Sequence, residues 1–516
     1  MAFDKLYKEL AEREAKALGM GGAEKLARRK KAGVLNARER LDHLLDEGSF
    51  LESGMLAQSD VPDDRERSPA DGKIAGYGTV DGRDVAVVSN DFTVKGASSA
   101  ATNMKKVAQM QRAAIEGGIP LIFLGESSGA RIPDNMGALG MGNLLANNNA
   151  QYRRLRESPW AAAVLGMAYG SSTWYGVLSD FCVMRKGAIM AVSSERLVSM
   201  AIGEKVDAEK LGGWRLHANE TGLVDRVVDS DEQALDEIST FLSYLPSHCN
   251  EAPPLAPVPD GSDSSAKTLP ELVPESRMQV YDMRKVLEAV VDKDSIFELK
   301  PSFGRTAITA LSRINGETVG LIANNPLHKA GAMDAQACEK ITDFMVLCDS
   351  YNVPMVFFVD NPGFVIGMEA ERQRAPGKIM NFMNALQQVT VPKLTLMIRK
   401  NYGQAYINMG GNKNADDVAA WITAEVSFMD PAFAVNVVYG KEGERLEEAD
   451  PKLFAEKLEE IEQNNSVWDL AACYAAQQII KPENTRSWLK QMLCVHRRRL
   501  SGGIGKHLLS NWPTSY

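Results

Sequence analysis

The sequence predicts an α/β fold built as two homologous halves in tandem, and three observations carry that prediction. Residues 117–133 (GGIPLIFLGESSGARIP) and 352–368 (NVPMVFFVDNPGFVIGM) are one element in two copies. Each is an apolar run entered at a proline, Pro120 or Pro354, and left through a glycine turn, Gly129 or Gly363. The agreement extends outward at constant spacing: Asp81-Gly82 matches Asn315-Gly316 and Asn90 matches Asn324 at an offset of 234 residues, and Gly170 matches Gly403 at 233. A fixed period of this kind marks repetition of a structural unit. Finally, 516 residues of which 45% are hydrophobic suffice for two cores of roughly 200 to 250 residues each.

Taken in order, residues 1 to about 50 read as a helical arm, with Glu, Lys and Arg alternating with Leu and Ala. In NARERLDHLLDEGSF the apolar positions Ala37, Leu41, Leu44 and Leu45 fall at helical spacing before Gly48 ends the run. The pattern then switches to period two. KIAGYGTVDGRDVAVVSNDFTV is a hairpin turning at Asp81-Gly82, and TALSRINGETVGLIANN repeats it at Asn315-Gly316; both dipeptides favour the tight turn that joins antiparallel strands. A helix is expected after each hairpin, over 100–116 and 335–352, followed by the apolar strand, the glycine turn, and a further helix and strand. Strands alternating with helices imply a mainly parallel sheet covered by helices. Between the halves, NEAPPLAPVPDGSDSSAKTLPELVPES (250–276) is rich in Pro, Ser and Asp and reads as a linker. The expected organisation is therefore residues 1–250, a linker over 251–276, and residues 277–516. Near the C-terminus, Arg497–Arg499 read as charges compensating a helix end or forming an interface.

Composition narrows the function classes. A net charge of −9 argues against nucleic acid, whose phosphates call for a basic face, while local Lys and Arg leave room for a small anionic ligand. The six cysteines are scattered without a CxxC pair, which suits reduced thiols better than disulfides or zinc. The charged N-terminus is unlike a signal peptide, and no run reaches the roughly 18 apolar residues of a membrane span. A cytoplasmic protein is expected, with no metal site.

The duplicated turns hold Gly, Ala, Ser and Pro, with no His, no paired carboxylates and no metal-ligand spacing. Side-chain acid-base catalysis has little support there. A glycine turn from strand into helix instead aims free backbone N–H groups outward, an arrangement that binds an oxyanion.

With these features in view, the sequence resembles the carboxyltransferase subunits of biotin-dependent acyl-CoA carboxylases, a family that includes propionyl-CoA and acetyl-CoA carboxylase beta chains and related decarboxylase alpha chains. The motifs NARERLDHLLDEGSF, SNDFTVKGAS, SSGARI, LGGWRLHANETGLVD, SYLPS, VDNPGF and TVPKLTLMIRKNYGQAY carry the resemblance over nearly the whole chain. It implies two tandem crotonase-like (ClpP/crotonase) domains, the first for acyl-CoA and the second for biotin. It also implies that carboxybiotin on a separate carrier subunit or domain meets a coenzyme A thioester between the first domain of one subunit and the second of another, within a hexamer (a trimer of dimers) served by a biotin carboxylase. The implied oxyanion holes are Gly170 with Ser171 and Gln404 with Ala405. Further contacts are implied at Gly129, Ala130, Arg131 and Lys95 in the first half, and at Gly363, Phe364, Tyr402, Gly403 and Ile407 in the second. Ile407 matches a position lining the family's acyl pocket. Lys95, Lys105, Lys106 and Arg131 stand where CoA phosphates would need cations. The chain departs from the family pattern at Ser171 and Gln404, where glycine is usual, and at Pro133-Asp134-Asn135, where Gln-Glu-Gly is common. It has no Ala-Met-Lys-Met biotin-attachment site and no ATP-grasp loop, so both belong on other subunits. The alternatives are a decarboxylase using the same pockets, a biotin-independent crotonase-like enzyme, or a scaffold subunit.

Overall fold

The computed structural model describes residues 3–145, 152–441 and 444–513. It divides the chain into two compact units, one running up to Cys249 and joined by the terminal stretch from Asn511, the other Asn250–Ser510.

Each unit is built on one eight-stranded sheet. In the first, β1 (Leu51–Ser53), β2 (Lys73–Val80), β3 (Arg83–Asn90), β4 (Leu121–Ser127), β5 (Trp160–Tyr169), β6 (Phe181–Arg185), β7 (Ile189–Ala191) and β8 (Arg226–Val228) lie in the order β1-β2-β3-β4-β5-β6-β8, with β7 on the end of β5. The second has β9 (Phe297–Leu299), β10 (Ala307–Ile314), β11 (Glu317–Asn324), β12 (Met355–Asn361), β13 (Lys393–Tyr402), β14 (Asp417–Trp421), β15 (Glu425–Ser427) and β16 (Gln478–Ile480), in the matching order β9-β10-β11-β12-β13-β14-β16 with β15 on β13. Pairing is antiparallel through the hairpins and parallel from β3 and β11 onward. The repeat legible in the sequence is thus strand for strand.

Both hairpins turn where expected, Val80 pairing with Arg83 and Ile314 with Glu317. A carboxylate cradles each turn: Asp46 accepts from the amides of Asp81 and Gly82, and Asp292 from those of Asn315 and Gly316. The following helices run Ala101–Gly117 and Ala335–Ser350. On their inner faces, Lys106 and Lys340 are buried at the same repeat position. The Lys106 ammonium donates to the carbonyls of Gly54, Ala70 and Lys73, and that of Lys340 to Phe303 and Ala307. Lys73 and Ala307 are themselves repeat partners, so one device pins the loop before the hairpin in both units. Lys106, expected among the cations facing CoA, is committed to this pin; the helical period turns it inward while its neighbour Lys105 faces solvent.

The apolar strand β4 packs against the helix Ala101–Gly117 through a core that includes Val88, Val107, Phe123 and Trp160, whereas the core that holds Phe358 of β12, with Leu394 and Trp421, is closed by Val286 and Leu287 of the helix Met283–Val290. Ala266 and Leu269, inside the stretch read as a linker, are buried in that second core, so residues 251–276 contribute to packing there as well as to connection. In the arm, Asn36 and Glu39 form a reciprocal cap on the helix Ala37–Leu44, and Ala37, Leu41, Leu44 and Leu45 are buried as their spacing implied. Arg497 and Arg499 pair with Glu317 and Asp416 inside the second unit, which absorbs their charge.

Candidate active site

In each unit the glycine turn and its successor leave the carboxyl ends of two neighbouring parallel strands, the edge at which open α/β sheets bind ligands. A register shift sits at the same repeat position in both, between Gly125 and Ser127 and between Val359 and Asn361. Such irregularities bend a strand end and re-aim the residues beyond it.

In the first unit β4 ends in the Gly129 turn, which is tied to the preceding loop: Ser99 N–H donates to Gly129 O at 2.9 Å and Arg131 N–H to Ser99 O at 2.8 Å. The second unit repeats this tie, Met333 N–H to Gly363 O at 3.0 Å and Val365 N–H to Met333 O at 2.8 Å, which places Phe364 beside Met333. β5 then passes through Gly170 into the helix Ser171–Leu178. Gly170 has φ +62°, a conformation that costs any residue with a Cβ, and a Cβ there would stand 3.7 Å from Gly129 Cα. The two turns are therefore in contact, and Gly129, Ala130, Gly170 and Ser171 form one surface. The N–H groups of Gly170 and Ser171 open the helix, where no helical carbonyl is available to them. The Ser171 hydroxyl is bonded to that of Ser99 at 2.7 Å, which orients it within the unit.

β13 ends in the equivalent turn at Gly403, φ +60°, where a Cβ would collide with Phe428 O at 2.9 Å. Gln404 and Ala405 follow in the first turn of a short helix. The Gln404 side chain is exposed and donates to Asn408 Oδ1 at 2.9 Å, so it lies along its own helix and its backbone N–H is the donor left at the turn. Ala405 is fully buried. Ile407, half-buried, packs against a cluster that includes Met397, Tyr406 and Val418.

Tyr402 and its repeat partner Tyr169 precede these turns, and both hydroxyls donate to a glutamate: Tyr169 to Glu195 at 2.7 Å, Tyr402 to Glu425. Burial first, and the glutamate second, push both phenols up, so they stay neutral donors. Sequence reasoning missed Glu195, Glu425 and Ser99; the recurring Tyr-Gly pair was a signal for the tyrosines, but nothing local announces partners that arrive from other segments.

The expected cations behave differently from one another. Lys95 lies next to the Gly129 turn, and its ammonium pairs with Asp64 at 2.7 Å. Arg131 is only 5% exposed and is held by Asp71 at 2.8 Å, by Ser98 and by Asp134. Its expected phosphate contact is corrected: a guanidinium this buried and bonded acts as an internal brace. Among the described residues no cluster of His, Cys, Asp and Glu fits a metal, and no helix is long and apolar enough to cross a membrane.

The carboxyl transferase domain matches residues 28–500. The chain belongs to the carboxyl transferase family. Relatives include a propionyl-CoA carboxylase carboxyltransferase subunit of Haloferax mediterranei, 33% identical with 95% of each chain covered, and the methylmalonyl-CoA carboxyltransferase 12S subunit of Propionibacterium freudenreichii subsp. shermanii, 33% identical with 98% and 96% covered. A methylmalonyl-CoA decarboxylase alpha subunit of Veillonella parvula is also 33% identical, covering 84% of this chain and 86% of its own. The crystal structure of transcarboxylase 12S, a hexamer with methylmalonyl-CoA and methylmalonic acid bound, superposes with a TM-score of 0.88 at 31% identity over 96% and 97% of the two chains. The fold of this carboxyl transferase is two crotonase-like domains in tandem.

Proposed function

We propose that this carboxyl transferase is the carboxyltransferase subunit of a biotin-dependent acyl-CoA carboxylase, moving a carboxyl group from carboxybiotin on a separate carrier to the α-carbon of an acyl-CoA in the cytoplasm. The observation that supports this most is the duplicated pair of turns, which gives each unit backbone N–H donors at the same place.

Carboxybiotin, when bound, supplies the carboxyl group and the base that accepts the α-proton. The rest is the work of this chain. Loss of the α-proton moves negative charge onto the thioester oxygen, and the N–H groups of Gly170 and Ser171 are aimed to receive it. The second unit offers the N–H groups of Gln404 and Ala405 to the ureido oxygen of biotin. The Gln404 side chain is held aside by Asn408, so this donor set fits a small planar group whose oxygen gains charge. Donors fixed before the reaction need no reorganisation as charge develops, and losing one typically costs about 2.7 to 4 kcal/mol of barrier. Gly129, Ala130 and Lys95 are proposed to border the acyl-CoA, Gly363, Phe364, Tyr402 and Gly403 the biotin, and the exposed part of Ile407 the acyl group. In this reading a biotin carboxylase recharges the carrier, and six chains assemble as in the 12S hexamer.

Purified chain, supplied with a carboxylated biotin carrier and a panel of acyl-CoA thioesters, is expected to form the carboxylated thioester. No transfer to any thioester, with folded protein, refutes the reading. The Veillonella relative favours one alternative, decarboxylation through the same turns; in the same assay it would appear as loss of carboxyl from a methylmalonyl-type thioester to free biotin carrier without the forward transfer.

A further inference from the structure

Beneath the two turns of the first unit lies a buried ammonium that the mechanism above does not use. Lys73 opens β2 and is 2% exposed. Its Nζ donates to Asn90 Oδ1 at 3.2 Å and to Ala97 O at 3.3 Å, and each contact begins a chain. Asn90 Nδ2 donates to Ser172 Oγ at 3.0 Å, in the first turn of the helix that carries Ser171. Ala97 O also accepts from Ser127 Oγ at 3.1 Å, and Ser127 Oγ accepts from Gly129 N–H at 3.1 Å. One ammonium therefore stands at the junction of two chains that end at the two turns. Lys73, Asn90, Ser171 and Ser172 also line a single void of about 10 Å³, near the least that admits one water.

The second unit lacks this charge. Ala307 stands at the position of Lys73, and the carbonyl matching Ala97 O, that of Gly331, accepts instead from Asn324, the partner of Asn90. The repeat has kept the pins and the turns but placed this cation in one half only. We propose that Lys73 is a positioning residue for the first unit's oxyanion hole, holding the Gly129 and Gly170 turns together and lending positive charge to whichever anion forms there, with the enolate of an acyl-CoA thioester as that anion. This rests on the assignment of acyl-CoA to the first unit. A buried charge close to a pocket shielded from water acts with little screening, and the half that must stabilise a carbon acid's conjugate base gains most from it.

The charged groups facing Lys73 are Asp71 from the loop before β2, Arg131 from the Gly129 turn, and Lys106 from the helix Ala101–Gly117. Burial, the largest influence, lowers its pKa to about 8; Asp71 opposes this, while Arg131 and Lys106 add to it. The ammonium is thus lost as pH rises through about 8.

The test compares binding of propionyl-CoA with that of 2-nitropropionyl-CoA, whose ionised nitronate resembles the enolate and needs no biotin. Wild type should prefer the nitronate, and Lys73→Met should weaken nitronate binding about tenfold to a hundredfold while leaving propionyl-CoA binding nearly unchanged. Wild-type nitronate affinity should also decline above about pH 8, and Lys73→Met should lack that decline. Equal losses for both thioesters would mean a purely structural role and overturn the inference, as would an alkaline decline that survives in Lys73→Met, which would belong to Lys106, itself lowered to about 8. If Lys73→Met fails to fold, Ser172→Ala cuts the same chain at a hydroxyl: selective loss of nitronate affinity supports the inference and unchanged affinity overturns it. A wild type that binds neither thioester overturns both this inference and the functional reading beneath it, whereas an undiminished nitronate preference in Lys73→Met overturns this inference alone.

Discussion

The Gln404 amide is tied to Asn408 Oδ1 one helical turn away, and Asn408 in turn donates to Ile379 O. Glycine at 404 would remove that tie and leave the backbone donor in place. Gln404→Gly is therefore expected to change kcat/KM for carboxyl transfer by less than about tenfold, or roughly 1.4 kcal/mol of barrier; a larger loss, or a sharp change of preferred acyl-CoA, would show that the side chain enters the site. Ala405 is the opposite case. With no exposed surface, it has no room for two further methyl groups, which in a packed site cost about 1 to 3 kcal/mol of stability. Ala405→Val should abolish transfer by displacing its N–H, with acyl-CoA binding nearly intact, because the thioester is assigned to the first unit. A parallel fall in acyl-CoA affinity, measured by calorimetry, would show that the two pockets are assigned the wrong way round.

At the scale of elements, the lysine pins link a helix to the loop before each hairpin. Burial, outweighing every other influence, lowers the Lys340 pKa to about 7, against about 10.4 in an unfolded chain. Between these values the unfolded chain binds a proton that the folded one does not, so stability rises with pH. The contribution is full above the unfolded value and is lost as pH falls towards 7, by at most about 1.4 kcal/mol per pH unit. Urea denaturation at pH 7 and pH 9 should show wild type gaining stability relative to Lys340→Met; parallel behaviour would mean that the ammonium is better solvated than its burial implies. The carboxylate cradles differ between the halves in a related way. Asp292 is buried and also receives Arg486 at 2.6 Å, whereas Asp46 holds its turn from a half-buried position with Thr79.

For the whole molecule, the proposed reaction develops charge on two oxygens, and each unit carries one set of turn donors. The proposed function pairs the first unit of one chain with the second unit of another. Light scattering on active protein should report six chains, and a stable, fully active monomer would contradict this. Exposed apolar side chains such as Phe428, Val437 and Val438 in the second unit, and Met200 and Ile202 in the first, are surfaces that such an assembly would cover.

Much of this was written locally. The hairpins are set by Asp-Gly and Asn-Gly, the buried strands by apolar runs too short for helices, and the repeat by a constant spacing that survives in a single sequence; the family resemblance then supplied chemistry that composition alone could not. The turns at Gly129, Gly170, Gly363 and Gly403 were legible because each backbone conformation there suits glycine. What tertiary structure decided is where charged and polar side chains end. Arg131, Lys105 and Lys106 read alike as cations near a phosphate site, yet one braces Asp71, one faces solvent and one pins carbonyls. Tyr169 and Tyr402 find glutamates beyond the next helix and strand, Gln404 turns along its own helix, and Lys73, an unremarked first residue of a strand, lies under both turns. Backbone shape follows from neighbours in sequence, whereas the partner of a buried polar group is set by whichever distant segment the packing delivers.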